Sequence, residues 1–424
     1  MYNSKTMLKF RLIAMSFLQY AVWGAYLTCM GKYLGSSGLG DKIGLFYAMQ
    51  GIVSLFMPAL MGIVADRWLP AQKTLSLCHF ISGGAMIMAC LHGINNSFPD
   101  FGVLFPPYSL AVAFYMPTIA LSNSVAYSAL EKEGLDTVKN FPPIRIFGTI
   151  GFICAMWAID LLRLSDTPYQ FLLSGATGVI LASYSLTLPD CPISRSNDKK
   201  SLSEALGLQS FKLFKQRKMA VFFIFSLFLG AALQITNGFA TPFISSFRAN
   251  PEFSDTFGVK YSVIIYSISQ ISETACILLI PFFLKRFGIK KVMLMAMLAW
   301  TLRFGLFGIG DTGSMLWAIV LSMIVYGFAF DFYNISGSLF VNQETDPAMR
   351  SSAQGLFMLM TNGLGATIGT FAAQEVVSRF CHWTEPPHPA LVGDWHTVWF
   401  IFAGYALAIA VLFAIFFRYK HQKS

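Results

Sequence analysis

The chain has 424 residues, of which 55% are hydrophobic, 15% aromatic and only 12% charged, with a mean hydropathy of +0.59. A soluble fold of this length needs far more polar surface, so the composition is that of an integral membrane protein. The net charge of +9 would suit a nucleic-acid binder, but the cations sit where membrane topology puts them, and no nucleic acid is expected as a partner.

Apolar runs of about 20 residues, enough to cross a bilayer core as helix, recur along the whole chain. They cover 9–31, 43–65, 74–94, 104–127, 143–162, 170–188, 219–246, 261–284, 291–310, 315–340, 352–377 and 397–417. No run alternates strongly, which argues against a β-barrel. The first is too long for a signal h-region and no convincing small-residue cleavage site follows it, so it reads as an uncleaved helix. The predicted fold class is an all-α integral membrane protein with twelve transmembrane helices in two six-helix bundles.

The longest polar break, 189–218, divides the runs six and six. It defines an N-terminal bundle over 1–188, a linker, and a C-terminal bundle over 219–424. Within the linker, Ser201 and Glu204 have capping-box spacing. Leu202, Leu206, Phe211 and Phe214 form a rough apolar stripe, so a short basic amphipathic helix is expected there. With the N-terminus in the cytoplasm and the runs alternating, about 22 of the 30 Lys and Arg fall on the inner side. That is the positive-inside bias, and it places both termini in the cytoplasm. Arg145 and Arg303 are left within helices.

The two halves are faintly alike. "GIVADRWLPAQK" follows the second run and "PFFLKRFGIKK" the eighth, each placing cations at a helix end and after a tight turn. This is the pattern of a transporter built from parallel repeats. In the first copy Gly62, Asp66 and Arg67 resemble the GxxxDR signature of the major facilitator superfamily, although Leu69 stands where that signature has Gly.

An ionised side chain at the bilayer centre costs about 2.5–3.5 kcal/mol, so the few runs that carry polar groups are the ones to inspect. Arg145, Thr149 and Phe152 fall at i, i+4 and i+7 and share one helix face. Gln234 and Asn237 are spaced i, i+3, as are Gln270 and Glu273. Tyr326 and Phe330 are spaced i, i+4, with Asp331 next to Phe330. Any single amide reads as interhelical glue. Strips on four helices predict instead a wet cavity suited to a small polyhydroxylated molecule bearing a flat ring. Arg303 reads as an ion-pair partner of Asp331 or Glu273, without substrate contact.

Cys381, His382, His388 and His396 share an outer loop but fit no zinc spacing, so no metal is expected. No HExxH, Walker A, GxSxG or Rossmann fingerprint occurs. The chain is therefore read as neither an enzyme nor an ATP-driven pump, and no cofactor is implied.

Along essentially its whole length the sequence resembles the nucleoside:proton symporter family of the major facilitator superfamily. The resemblance is carried by "FPPIRIFGTIGF", "LQITNGF", "SISQISET", "IVYGFAFDFYNISGS", "SAQGLFMLMTNG" and "TVWFIFAGY". It implies import of purine and pyrimidine nucleosides across the bacterial inner membrane, driven by protons, by a chain that works as a monomer in the lipid bilayer. The family's binding residues match Arg145, Thr149, Phe152, Gln234, Asn237, Gln270, Glu273, Tyr326, Phe330 and Asp331. Asp331 is the first candidate for proton coupling and Glu273 the second. Phe147, where the family has Trp, and Ala232, where it has an acid, depart from the pattern and bear on substrate range. The alternatives are a sugar or oligosaccharide symporter of the same superfamily and, from another class, a membrane-embedded receptor or enzyme.

Overall fold

The computed structural model describes residues 4–191, 208–345, 350–385 and 389–419. Helices α1 (Ser4–Gly24), α2 (Met30–Ser36), α3 (Ile43–Ser54), α4 (Met57–Arg67), α5 (Ala71–Asn95), α6 (Phe101–Lys132), α7 (Thr137–Leu161) and α8 (Tyr169–Ser185) precede the linker. After it come α9 (Arg217–Ser246), the short α10 (Phe257–Lys260), α11 (Ser262–Phe287), α12 (Ile289–Ile309), α13 (Leu316–Glu344) and α14 (Arg350–Met358). A π-helical stretch, Leu359–Gly365, leads into α15 (Ala366–Phe380). A small antiparallel pair, β1 (Cys381–Trp383) and β2 (Leu391–Gly393), precedes α16 (Trp395–Phe416).

Every expected apolar run coincides with helix. By length and composition, nine helices among the described residues can cross a membrane, or ten if α3 and α4, bent by 41° at their break, form one span. The bend falls where Pro58 sits in the first turn of α4, a position that starts a helix and cannot continue one. The two remaining runs are helical but fall outside that set. Tyr169–Ser185 is only 17 residues long, and α1 carries Lys5, Lys9 and Arg11 in its first half. The amphipathic helix expected around Ser201 and Glu204 lies outside the described residues. The end of the linker, Leu208–Lys215, is a 3-10 helix in which Phe211 and Phe214 stack at 5.9 Å.

Packing separates the chain into two units, residues 1–39 with 53–200, and residues 40–52 with 201–424. In the first, α5 packs against α6 and α8, α4 against α6, and α1 against α7. A core of Leu12, Leu75, Cys78, Val125, Leu130 and Leu181, all fully buried, fills the space among them. In the second, α12 packs against α13 and α16, α11 against α13, and α9 against the π-helical stretch and α15. Counted as spans, the pairings repeat: third with fourth and sixth, second with fourth, first with fifth. The resemblance of the halves read from two short motifs is thus present in the helix packing itself. Most of α3 groups with the second unit: Gln374 accepts from the Gly44 N–H at 2.9 Å, and Gly51 lies against Gly363 and Thr367.

Small residues make the closest of these contacts, as expected where helices pack without a hydrophobic drive between them. A Cβ on Gly151 would collide with the Phe17 backbone of α1, and one on Gly369 with Ala231 of α9. On Gly404, in α16, it would meet nothing within 4 Å. Gly151→Ala and Gly369→Ala are each expected to destabilise the protein by about 1–3 kcal/mol through overpacking. Gly404→Ala should be neutral or slightly stabilising, since alanine favours helix. Thermal unfolding in detergent checks the contrast.

Candidate functional site

In the first unit the strip on α7 is held by its packing on α1. Gly24, Gly148 and Gly151 let the two helices approach until backbone meets backbone: an added Cβ on Gly24 would strike Phe152, and one on Gly148 would strike Tyr20. This closeness sets the geometry of the polar strip. The Arg145 guanidinium lies over the Tyr20 ring, 3.8 Å from its centroid, an arrangement that holds a cation without neutralising it. Phe152, 6% exposed, meets Trp23 edge-on at 6.2 Å and 89°, and Trp23 in turn packs on Tyr115. Thr149 sits half-buried one turn before Phe152 on the same face. Tyr20 and Trp23 were not singled out from the sequence. Trp23 carries a usable signal, an indole N–H that is buried with no partner among the described residues.

Behind Trp23 lies a buried polar network. The Thr118 hydroxyl donates to the Tyr115 carbonyl and accepts from Gln19 Nε2, while Gln19 Oε1 faces His79 Nε2, the last two contacts both at 2.7 Å. His79 is therefore held across helices, not by its own turn. It anchors α5 to α1 under the aromatic layer.

In the second unit the residues of α9, α11, α12 and α13 come together. Asn237 Nδ2 donates to Gln234 Oε1 at 3.1 Å, and the Tyr266 hydroxyl donates to Asn237 Oδ1 at 3.0 Å. Tyr266, Gln270 and Glu273 fall at i, i+4 and i+7 on α11, so the glutamine and glutamate share a face with a tyrosine that sequence reading passed over. Tyr326 and Phe330 of α13 are stacked, with centroids 5.6 Å apart and planes 5° from parallel. They form a two-ring wall braced by Trp300, edge-on to Tyr326 at 6.0 Å. Asp331 is 5% exposed and its Oδ2 has no hydrogen-bond partner among the described residues. Glu273 lies within electrostatic reach of it.

Arg303, on α12, is fully buried, and no ion pair among the described residues includes it. Its guanidinium donates to the Ser322 carbonyl at 2.7 Å and to Ser269 Oγ at 3.4 Å, and touches Met323 Sδ at 3.9 Å. It also lies over the Tyr326 ring at 4.8 Å and the Phe307 ring at 5.2 Å. The expected pairing with Asp331 or Glu273 is thus replaced by a carbonyl, a hydroxyl and aromatic faces.

Elsewhere, Gly62 stands on α4 with open space where a Cβ would go. Asp66 and Arg67 close that helix, and their side chains lie outside the described set. Phe147 is 38% exposed on α7, and Ala232 is buried on α9. Among the described residues no group of three or more His, Cys, Asp or Glu is placed to hold a metal ion; His388 is not among them.

In the second unit, a ring wall, an amide pair and two neighbouring carboxylates suit a flat, hydroxylated, uncharged solute. Comparison with known proteins agrees. Residues 6–422 match the family described as nucleoside H+ symporter. The xanthosine permease of Escherichia coli is 49% identical over 97% of this chain and 96% of its own length. The nucleoside permease NupG of the same organism is 46% identical over 98% of this chain and 97% of its own. The crystal structure of the nucleoside transporter NupG superposes with a TM-score of 0.88, at 45% identity, over 97% of this chain and all of that one. The chain belongs to the nucleoside H+ symporter family, within the major facilitator fold.

Proposed function

We propose that the protein imports nucleosides together with protons across a bacterial inner membrane by alternating access, as a monomer with both termini in the cytoplasm. The observation that carries the coupling is Asp331. In a chain of this family, it is a carboxylate buried to 5% exposure with one oxygen unpartnered among the described residues and a second carboxylate nearby. An ionised carboxylate shut away from water needs a partner, and a proton supplies one. Common nucleosides are uncharged at neutral pH, so their accumulation requires a co-transported ion. A proton moving down the membrane potential delivers about 2.3 kcal/mol per 100 mV. Asp331 takes that proton, with Glu273 as the alternative carrier.

The remaining roles follow from side-chain chemistry. The base stacks on Phe330 or Phe152, beside Tyr326. Gln234, Asn237, Gln270 and Glu273 hold the ribose, because amides and a carboxylate together can both donate to and accept from hydroxyls. Arg145 and Thr149 supply further donors. The cation excess on one side of the spans supports the proposed orientation.

Asp331→Asn should abolish uphill uptake driven by a pH gradient in proteoliposomes while sparing exchange of labelled nucleoside. Undiminished uphill uptake would remove Asp331 from coupling. Base–aromatic stacking is worth about 1–3 kcal/mol, so Phe330→Ala is expected to raise KM for uridine by roughly tenfold or more. An unchanged KM would take Phe330 out of the stacking surface. Counterflow with labelled uridine tests the substrate class. Uridine and adenosine should compete and lactose should not, and the reverse order would favour a sugar symporter.

A further inference from the structure

Arg303 poses a question that coupling does not answer. A fully buried guanidinium without an ion pair among the described residues, its Nε also lacking a hydrogen bond there, is costly to keep. Besides the Ser322 carbonyl and Ser269 Oγ, to which it donates, it lies within electrostatic reach of Tyr266. A guanidinium carries donors only, so a tyrosine beside it turns its oxygen lone pairs toward the cation and sends its single proton elsewhere. That proton goes to Asn237 Oδ1, at 3.0 Å. With its oxygen so engaged, Asn237 turns its N–H side to Gln234, and Nδ2 donates to Oε1 at 3.1 Å. The oxygen of Gln234 is taken up in its turn, and its Nε2 is the end left for a ligand. Both bonds, from Tyr266 to Asn237 and from Asn237 to Gln234, run in the direction that a positive charge near the tyrosine favours.

We propose that Arg303 and Tyr266 are positioning residues that set the hydrogen-bond polarity of Asn237 and Gln234, so that these amides meet the nucleoside with N–H donors and select an acceptor oxygen on its ribose. This rests on the reading that Gln234 and Asn237 bind substrate, and it deepens that reading. Glu273, on the same face of α11 as Tyr266, can only accept when ionised. A ribose hydroxyl takes a bond from an amide N–H and gives one to a carboxylate, satisfying both kinds of partner at once. A deoxyribose carbon satisfies neither. Without the cation and the tyrosine, each amide is free to turn over, and the site loses its preference for an oxygen at that place.

The test is competition against labelled uridine by uridine, 2′-deoxyuridine and 3′-deoxyuridine, using the full chain in proteoliposomes. Wild type should bind uridine about tenfold more tightly than at least one deoxy analogue, the worth of one or two hydrogen bonds. Tyr266→Phe, which removes a single oxygen, should weaken uridine by about five- to tenfold, leave that analogue nearly unchanged and spare kcat. Arg303→Met should lose the discrimination in the same way, and Arg303→Lys, which keeps a donor-only cation, should retain it. A wild type that does not discriminate overturns the proposal. So does a Tyr266→Phe variant that weakens all three ligands equally or keeps the wild-type ratio. Gln234→Ala and Asn237→Ala separate the two levels. If they bind all three ligands as wild type does, the binding assignment itself fails; if they lose affinity while Tyr266→Phe keeps the ratio, only the relay fails.

Discussion

Inside hydrocarbon, a polar side chain can find partners only in the protein that carries it or in a water-filled space that protein encloses. The second unit meets this demand in two opposite ways. The cation of Arg303 is enclosed, with a carbonyl, a hydroxyl, a thioether and aromatic faces around it. The carboxyl group of Asp331 is left open, with one oxygen unanswered among the described residues. Had the two charges been joined, each would have satisfied the other, and neither would have a reason to change state. Kept apart, the arginine has a fixed set of partners, while Asp331 keeps an oxygen open, as its proposed part in proton coupling requires.

The first unit shows how backbone packing prepares side chains for such work. Glycines at 24, 148 and 151 bring α1 and α7 into contact without intervening side chains. The large groups flanking the seam are therefore pressed against each other. Arg145 settles on Tyr20, and Phe152 meets Trp23 edge-on. Rings and a cation held in this way would lose little further freedom in the binding role proposed for Arg145 and Phe152, which is the general advantage of a preorganised surface.

Much of this was legible in the sequence, for definite reasons. Helical spans in a bilayer are long apolar runs, and a polar group within one is rare enough to stand out, so the faces of α7, α9, α11 and α13 could be read from spacing alone. The partners of those groups could not. Opposite charges in neighbouring spans invite the inference of an ion pair, and nothing in the spacing reveals that the Ser322 carbonyl and the face of Tyr326 will hold Arg303 instead. Tyr266 and Trp23 were hidden by abundance: with 41 Phe, 16 Tyr and 8 Trp in the chain, one more ring on a helix carries no signal until its neighbour is known. The partner of His79, Gln19, lies 60 positions away, where no helix spacing could point to it. The packing of α3 with the second unit is likewise a matter of which surface fits, which hydropathy does not encode.

The π-helical stretch from Leu359 to Gly365 gives this span a different tolerance from its neighbours. Each turn there holds about one residue more than a turn of α-helix. Its widened backbone carries the Thr361 carbonyl into van der Waals contact with α9 at Gly230. Removing one residue elsewhere in a spanning helix would swing every later side chain by about 100° and turn polar faces toward lipid. Here the loss can be absorbed as the wide turns relax into ordinary helix, with the register of α15 preserved. Relatives that differ in length by a single residue within this span should have lost or gained it at this place.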